Sequence, residues 1–393
     1  MPVLHWMVLA LEWLIAAGWL WRVLVWRRML QRVPDLVQTQ YGGSLPGLSV
    51  IVPARNEARN IAATLRSLLA AEGVALQIIA VDDRSTDQTG DIMELVAAEA
   101  TDNKRLQVLH IAELPKGWLG KTHAMARAAE QATGEWLLFT DGDVLFHPDA
   151  LRRALAYAVY SQADHMVLLP TVLLQSTGER MMVSFLQVIA VWALRPWGVA
   201  DPLARRDSIG VGAFNMIRRE VYDALGGWQA LRMEVLEDVT LGRRVKAGGF
   251  AQRAALGLDL VRVRWAEGAF GVVDNLAKNV FALFRFRPEI LIGAAFGGLG
   301  LFTLFPLLAC VAGRAFCWPT GVFLVALFLA YQRAGKYHHF SALQMVTFPV
   351  ASVLLLYAML RSMVLALWRG GITWRGTFYS LKELRAQAAR RDG

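Results

Sequence analysis

Apolar residues are concentrated in long stretches at the two ends of this chain. The first stretch runs from Val3 to about Trp26 and contains only two charged residues, Glu12 and Arg22. Three more lie near the other end, at Ile290 to about Ala312, Phe316 to about Tyr331 and Leu343 to Trp368. Because a helix needs about 20 apolar residues to cross the hydrocarbon core of a bilayer, the pattern predicts one N-terminal and about three C-terminal membrane segments.

The charges that flank these segments bear on their orientation. The first stretch is too long for a signal peptide, and the basic residues that follow it favour the cytoplasm; these are Arg27, Arg28 and Arg32. We therefore expect a retained anchor followed by a cytoplasmic domain. A tail at 369–393 also prefers the cytoplasm because of its basic residues, Arg369, Arg375, Lys382, Arg385, Arg390 and Arg391. Three simple spans would leave that tail outside, so the last apolar stretch is either a span or a re-entrant or interfacial segment.

Between the apolar ends, short apolar runs alternate with segments of helical periodicity. The runs "LSVIVPA", "LQIIAVDD", "LQVLHIA" and "EWLLFTD" predict buried strands. The segments "EARNIAATLRSLLAAEG", "TDQTGDIMELVAAEA" and "GKTHAMARAAEQATG" predict the intervening helices. This alternation indicates right-handed βαβ units and a mainly parallel sheet, which is a Rossmann-like α/β fold. The predicted organisation is an anchor at 1–28, an α/β domain at 46–268, an amphipathic segment at 269–288, a membrane or re-entrant region at 289–368 and a tail at 369–393.

The segment at 269–288 shows the spacing of an amphipathic helix. Its apolar positions, Val272, Val273, Leu276, Val280 and Phe281, alternate with Asp274, Lys278 and Asn279. Such a helix either lies on the membrane surface, where Arg285 and Arg287 would meet lipid headgroups, or only joins the α/β domain to the next span. In both cases the α/β domain is expected close to the bilayer.

Composition supports a membrane protein with a folded domain. Of the 393 residues, 55% are hydrophobic and 19% are charged, and the formal net charge is +9. The chain is too apolar for an ordinary soluble protein. Its two cysteines, Cys310 and Cys317, lie in or beside predicted spans and offer neither a disulfide framework nor metal-ligand spacing. We expect a multi-pass protein of the cell membrane with a cytoplasmic α/β domain and no nucleic-acid partner.

Ligands of such sheets bind beyond the carboxyl ends of the strands, and two common phosphate loops are missing there. A dinucleotide fingerprint requires glycines after the first strand, where the chain reads "PARNEARN". The segment "GWLGKT" ends like a P-loop, but Pro115 stands where that motif needs its first glycine. "GVGAFN" has only two glycines and lies far downstream.

Acidic residues end two of the predicted strands. Asp141 and Asp143 flank Gly142 directly after "WLLFT". Two such carboxylates are costly side by side unless a cation neutralises them, and they are oxygen ligands suited to Mg²⁺ or Mn²⁺ shared with a substrate phosphate. The alternative is an ordinary Asp-Gly turn. Asp82 and Asp83 end an earlier strand, and although Ser85 and Asp87 suit a helix cap, capping does not explain the doubled aspartate.

Two further charged positions have both a functional and a structural interpretation. Glu237 and Asp238 open a short helix, where acidic residues are favoured for electrostatic reasons alone. Together with the other acidic sites, however, Asp238 is a candidate general base. Lys121 either adds positive charge near bound phosphates or is a solvated helix lysine.

The motifs taken together resemble glycosyltransferase family 2. They are "VIVPARNEARNI", "VDDRSTDQT", "FTDGDV", "GVGAFNMIRREVYDALGGW" and "LEDVTLGRRV", and they follow one another in the order which that family shows, over roughly residues 48–268. The membrane-anchored layout is similar to the branch that includes ceramide glucosyltransferase and carotenoid- or hopanoid-associated glycosyltransferases. The resemblance implies a GT-A fold, a nucleotide diphosphate sugar as donor, UDP-sugars being favoured, and inversion at the anomeric carbon.

The resemblance also implies roles for individual residues. On the donor side it assigns the nucleotide to Pro53, Arg55, Glu57, Asp82 and Asp83, with Lys121 near the phosphates. Asp141 and Asp143 would hold a divalent cation, Mg²⁺ or Mn²⁺, that bridges the diphosphate. Asp238, with Glu237 beside it, would activate the acceptor hydroxyl. The acceptor side would include Gly210, Gly212, Asn215, Trp228, Arg264 and Trp265.

One departure from the family pattern bears on the product. Processive members carry a Gln-x-x-Arg-Trp motif, whereas here Val261 stands three residues before Arg264. Single-sugar transfer to a lipid or other membrane-associated acceptor is therefore expected. Two alternatives remain at this point. A nucleotidyltransferase would need more basic residues near the first strand than Arg55 and Arg59, and a non-catalytic membrane-bound partner would not need three intact acidic motifs.

Overall fold

The computed structural model describes residues 2–39, 41–100, 105–374 and 376–389. The chain forms two compact units. The helical unit consists of Met1–Gln31, Leu173–Leu194 and Trp265–Gly393, and the sheet unit consists of Arg32–Val172 and Arg195–Arg264. Of the tail residues named above, Arg375, Arg390 and Arg391 lie outside the described residues.

Strands and helices alternate through the sheet unit, and helices dominate the helical unit. The strands are β1 Leu48–Ala54, β2 Leu76–Asp83, β3 Leu106–Ile111, β4 Trp136–Phe139, β5 Val144–Phe146, β6 His165–Leu169, β7 Thr171–Val172, β8 Asn215–Arg218, β9 Gln252–Leu256, β10 Val261–Val263, β11 Gly371–Trp374 and β12 Thr377–Ser380. The α-helices are α1 Pro2–Met29, α2 Ile61–Leu69, α3 Thr89–Glu99, α4 Gly120–Ala129, α5 Ala150–Tyr160, α6 Thr177–Ala193, α7 Arg219–Ala224, α8 Glu237–Ala247, α9 Gly268–Leu283, α10 Pro288–Ile292, α11 Phe305–Ala309, α12 Cys317–His338, α13 Phe348–Trp368 and α14 Leu381–Ala389.

The central sheet of the sheet unit is mainly parallel, as the alternation of strands and helices predicted. Its strand order is β3-β2-β1-β4-β8-β6-β9. β1 pairs in parallel with β2 and β4, and β2 with β3. β8 is the antiparallel exception, because it lies between β4 and β6 and runs against both. The parallel pairing brings the carboxyl ends of β1, β2 and β4 to one edge of the sheet.

Helices cover both faces of this sheet, which explains why its strands are continuous apolar runs. All seven residues of β1 are buried. Val50 and Val52 belong to the core on one face, which includes Leu65 from α2. Ile51 belongs to the core on the other face, which includes Met125 from α4. Because successive strand side chains point to opposite faces, a strand buried on both sides has no polar alternation.

The helical unit contains four helical segments long and apolar enough to cross a membrane, counted over the described residues. They are Val3–Arg32, Pro288–Ala309, Arg314–His338 and Ala342–Trp368. The predicted number of apolar segments, one N-terminal and three C-terminal, is confirmed. Pro349 does not interrupt the last of them, because it lies in the first turn of α13, where a missing N–H costs no helical hydrogen bond.

Two charged side chains of α1 form hydrogen bonds with neighbouring helices of the helical unit. Glu12 is fully buried and accepts a hydrogen bond of 2.7 Å from Thr320, so it does not extend toward the membrane surface. Arg22 donates to the Val191 carbonyl oxygen at 2.8 Å. The predicted amphipathic helix is α9, and its buried residues include Val272 and Phe281.

A buried polar network joins β6, β8 and β9 of the sheet unit. His165 is fully buried between Asn215 and Gln252. Gln252 Nε2 donates to His165 Nδ1 at 3.0 Å, so the other ring nitrogen carries the proton and donates to Asn215 Oδ1. Gln252 also binds the backbone N–H and carbonyl of Ile209, both at 3.0 Å. The network therefore fixes the segment before β8 against the sheet.

This network makes stability depend on pH. Burial lowers the pKa of His165 from its usual value of 6.5 to about 4. The unfolded chain therefore binds the proton more readily, so stability is complete above pH 6.5 and falls as the pH drops toward 4. A pKa shift of this size corresponds to about 3 kcal/mol in the free energy of unfolding. We expect the melting temperature of the full chain in detergent to fall over this interval, and the His165→Gln variant to show a shallower fall.

The matched control is His147→Gln, which removes an exposed histidine of the same unit. It should keep the pH dependence of the wild type. An equal slope for wild type and His165→Gln would show that His165 does not carry the effect.

Candidate functional site

The acidic residues predicted from the sequence lie at the edge of the sheet where β1, β2 and β4 end. Asp82 and Asp83 are the last residues of β2, and Asp141 to Asp143 form the turn from β4 to β5. The Thr64 hydroxyl of α2 donates to the Gly142 carbonyl oxygen at 3.0 Å and holds this turn. A Cβ on Gly142 would lie 3.2 Å from the Cβ of Ala54, so glycine lets the turn pack against the end of β1.

The loops that follow β1 and β2 brace each other. Asn56 has a φ of 57°, a left-handed conformation that asparagine tolerates better than most residues. Its side-chain oxygen accepts the Thr86 N–H at 2.8 Å, and its own N–H donates to the Ser85 hydroxyl at 3.1 Å. The Glu57 N–H donates to the Thr89 hydroxyl at 2.8 Å. The loop that carries the predicted donor residues Arg55 and Glu57 therefore has a defined shape.

Asp83 has a partner that the sequence analysis missed. The Arg84 guanidinium binds both of its carboxylate oxygens, at 2.8 and 3.0 Å, and Asp83 is only 4% exposed. Arg84 has a φ of 57°. A Cβ on Gly120 would lie 2.7 Å from Arg84 Nη2, so the glycine at the start of α4 leaves room for the pair. The neighbouring Asp82 instead accepts the Ser85 N–H at 3.1 Å.

Lys121 joins acidic residues from distant parts of the sequence. Its Nζ lies 2.5 Å from Asp141 Oδ1 and 2.6 Å from Glu237 Oε1. About a quarter of the Lys121 side chain is exposed and Glu237 is buried. The start of α4 is held by the Arg232 carbonyl oxygen, which accepts the Leu119 N–H at 2.7 Å. The ammonium group therefore links the ends of β4, α4 and α8.

The charges of this cluster shift the pKa values of Lys121 and Asp238. Burial acts to lower the pKa of Lys121, but the carboxylates of Asp141, Glu237 and Asp238 outweigh it and raise that pKa above its usual range. Burial and the adjacent Glu237 raise the pKa of Asp238 to about 7, against the opposing effect of Lys121. Asp238 is therefore a carboxyl group able to exchange a proton near neutral pH.

Two glycines allow the segment before β8 to approach this cluster. A Cβ on Gly210 would overlap the backbone carbonyl of Asp238. A Cβ on Gly212 would lie 2.7 Å from Asp141 Oδ2 and 3.6 Å from Asp238 Oδ2. Of the predicted acceptor-side residues, Gly212 thus lies beside both acids, whereas Gly210 serves the packing of the segment on α8.

Asn215 and Trp228, which were predicted for the acceptor side, are both buried. Asn215 is 2% exposed. Its side chain bonds His165 and donates to the Asp238 carbonyl oxygen at 3.4 Å, so it orients α8. Trp228 is 1% exposed and packs edge-on against Phe139 at 4.9 Å between ring centroids. Both residues therefore lie in the interior of the sheet unit. Trp228 packs in the apolar core, and Asn215 belongs to the hydrogen-bond network with His165.

The strand β10 brings Arg264 to the metal-binding turn predicted from the sequence. β10 pairs antiparallel with β5, with Val263 opposite Val144. Continuing this register by one residue sets Arg264 level with Asp143. The neighbouring Trp265 is 37% exposed, and its carbonyl oxygen accepts a 2.6 Å hydrogen bond from Asn275.

Comparison with solved structures identifies the class of fold. The mannosyltransferase PcManGT from Pyrobaculum calidifontis, solved in complex with GDP-Man and Mn²⁺, aligns with 92% of this chain and 99% of its own, with a TM-score of 0.51 and 19% identity. The sheet unit therefore has the GT-A fold, as the motifs predicted. At this level of identity the likeness concerns the fold alone.

Comparison of sequences identifies the family. Residues 49–226 match the family model described as Glycosyl transferase family 2. The 4,4'-diaponeurosporenoate glycosyltransferase of Staphylococcus aureus (strain USA300) is 23% identical over 350 residues, which cover 86% of this chain and 89% of that protein. Residues 49–226 are thus a glycosyltransferase domain of family 2, and the chain is a glycosyltransferase.

The close approach of Gly212 to Asp141 can be tested by adding a single methyl group. Gly212→Ala would place its Cβ at 2.7 Å from the Asp141 carboxylate and so force that side chain to move. We expect sugar transfer to fall by about tenfold or more, since small misplacements of reacting groups have effects of this size, while the melting temperature changes little.

Gly42→Ala is the control, because nothing lies within 4 Å of a Cβ at Gly42. It should leave the transfer rate unchanged. Full activity in Gly212→Ala would show that the position of Asp141 is not critical.

Proposed function

We propose that this chain transfers one sugar from a nucleotide diphosphate sugar to a lipid acceptor in the membrane, with inversion at the anomeric carbon. The observation that carries this proposal is the cluster of Lys121, Asp141, Glu237 and Asp238. It combines a carboxyl group that titrates near neutral pH with an acidic strand end and a cation, within a domain of the glycosyltransferase fold.

The predicted donor side offers residues that would bind a nucleotide diphosphate. Asp83, held by Arg84, would bind the nucleoside together with Pro53 near the end of β1 and with Arg55 and Glu57 of the braced loop. Asp82 supports this site indirectly by holding the Ser85 N–H. Lys121, whose Nζ lies 2.5 Å from Asp141 Oδ1, would interact with the diphosphate as well. A UDP-sugar remains the favoured donor on the strength of the family resemblance.

The acidic turn fits a divalent cation shared with the donor. Asp141 and Asp143 offer carboxylate oxygens, which Mg²⁺ and Mn²⁺ prefer. Lys121 contacts both Asp141 and Glu237, so the acidic turn already attracts positive charge. No group of three metal-ligating side chains occurs in the described part of the chain, so the diphosphate and water would complete the coordination. The cation would stabilise the negative charge of the departing diphosphate.

Asp238 would act as the general base that activates the acceptor. In its deprotonated form this carboxylate would take the proton of the acceptor hydroxyl or acid while the acceptor oxygen attacks the anomeric carbon. Attack opposite to the departing diphosphate inverts that carbon. Removal of such a base costs on the order of 10²–10⁴ in rate. Glu237 holds Lys121, and so orients the cluster without itself receiving the proton.

A lipid acceptor is supported by the membrane segments and by the similar protein. Four helical segments are apolar enough to span a bilayer. The similar Staphylococcus aureus protein is named for 4,4'-diaponeurosporenoate, a carotenoid that would reside in the membrane. The basic residues behind α1 favour a cytoplasmic catalytic domain in the cell membrane. Val261, in place of glutamine, supports a single transfer, and Arg264 and Trp265 remain candidates for the acceptor side.

The decisive experiment follows the sugar label. Detergent-purified protein is incubated with radiolabelled nucleotide diphosphate sugars and total membrane lipid, with and without EDTA. We expect label to enter the organic phase for one donor, with release of the nucleoside diphosphate, and EDTA or Asp143→Ala to abolish transfer. Asp238→Asn should slow transfer by about 10²–10⁴-fold but retain donor binding, because Asp238 acts on the acceptor.

Asp223→Asn is the matched control, since it makes the same chemical change at an exposed position of α7. It should transfer sugar at the wild-type rate. Release of pyrophosphate would favour a nucleotidyltransferase, and label that stays aqueous for every donor would contradict the lipid acceptor.

A further inference from the structure

Helices α1 and α12 of the helical unit run side by side in the same direction. Near their first residues, the His5 ring lies 5.1 Å from the Phe316 ring, measured between centroids. Near their last residues, Arg27 donates a 3.1 Å hydrogen bond to the Gln332 side chain. The C-terminal ends of both helices therefore meet at one end of two candidate spans.

A cavity of about 350 Å³ opens where these two ends meet. Four cationic side chains line it, two from each helix: Arg27, Arg28, Arg333 and Lys336. The carboxamides of Gln31 and Gln332 add further hydrogen-bond donors. No aspartate or glutamate is among the lining residues that the structure describes. The candidate functional site of the sheet unit differs from this cavity in being rich in carboxylates.

The local charge of this cavity favours the binding of an anion. The C-terminal end of a helix carries about −0.5 of an elementary charge, so the two ends together offset only about one of the four cations. Arg333 also lies over the Tyr337 ring at 4.9 Å, which fixes its guanidinium group without neutralising it. Like charges held around one concave surface repel each other, and an anion would relieve that repulsion.

The chemistry of the lining indicates which anion fits. Guanidinium groups bind phosphate through paired N–H donors. The cavity lies at the ends of the candidate spans Val3–Arg32 and Arg314–His338, at the level where headgroups stand. Leu24, one turn nearer the middle of α1, offers an apolar surface on the membrane side of the lining. Basic pockets between spanning helices are known to bind anionic headgroups.

We propose that this cavity binds the phosphate group of an anionic membrane lipid. The lipid bridges the ends of α1 and α12 and so fastens the N-terminal helix to the C-terminal membrane helices. The proposal is independent of the sugar-transfer reaction, because none of the lining residues belongs to the candidate catalytic cluster.

The test measures lipid binding to the full chain. Delipidated protein is titrated with phosphatidylglycerol or phosphatidylcholine, and the bound lipids are counted by native mass spectrometry. The double variant Arg28→Gln/Lys336→Gln should bind phosphatidylglycerol about 25-fold more weakly, at about fivefold for each cation removed. Its weak binding of phosphatidylcholine, and its melting temperature in phosphatidylcholine nanodiscs, should match the wild type.

The control is Arg369→Gln/Lys382→Gln, which removes the same charge from exposed positions outside the cavity. It should bind phosphatidylglycerol like the wild type. If both double variants bound phosphatidylglycerol equally weakly, the loss of binding would follow from net charge alone, and the proposal would be overturned. Displacement of phosphatidylglycerol by inorganic phosphate at comparable concentration would assign the cavity to soluble phosphate instead, and would equally overturn the lipid assignment.

Discussion

The ammonium group of Lys121 is the interaction on which the candidate site depends. It lies between Asp141 at the end of β4 and Glu237 at the start of α8, so it joins two elements almost a hundred residues apart in the sequence. Without it, these carboxylates and Asp238 would repel one another in a partly buried position. Its charge therefore permits a dense cluster of acidic side chains at this edge of the sheet.

The rest of the sheet unit supports that cluster from behind. The network of His165, Asn215 and Gln252 fixes the segment that carries Gly210 and Gly212, and Asn215 also contacts the backbone of Asp238. Close approach of the glycines then sets α8 against the sheet. A neutral, fully buried histidine thus contributes to the position of the candidate base through Asn215.

The helical unit shows a different use of charge. Where the sheet unit gathers carboxylates around one cation, the ends of α1 and α12 gather cations without carboxylates. The first arrangement suits a metal and phosphates brought by a soluble donor, and the second suits phosphates that belong to the membrane. In both places like charges lie close together, and under the two proposals a ligand of opposite charge would offset their repulsion.

The sequence by itself determined the class of fold, the long apolar segments and the strand-end aspartates, because these depend on local periodicity and on turns that follow apolar runs. It did not determine which charged side chains pair with one another. The pairing of Asp83 with Arg84, and of Lys121 with Asp141 and Glu237, follows from the packing of helices on the sheet. Asn215 and Trp228 were assigned to the acceptor side by resemblance, whereas the tertiary structure buries both. Burial depends on contacts between residues far apart in the chain, and only the folded structure decides these.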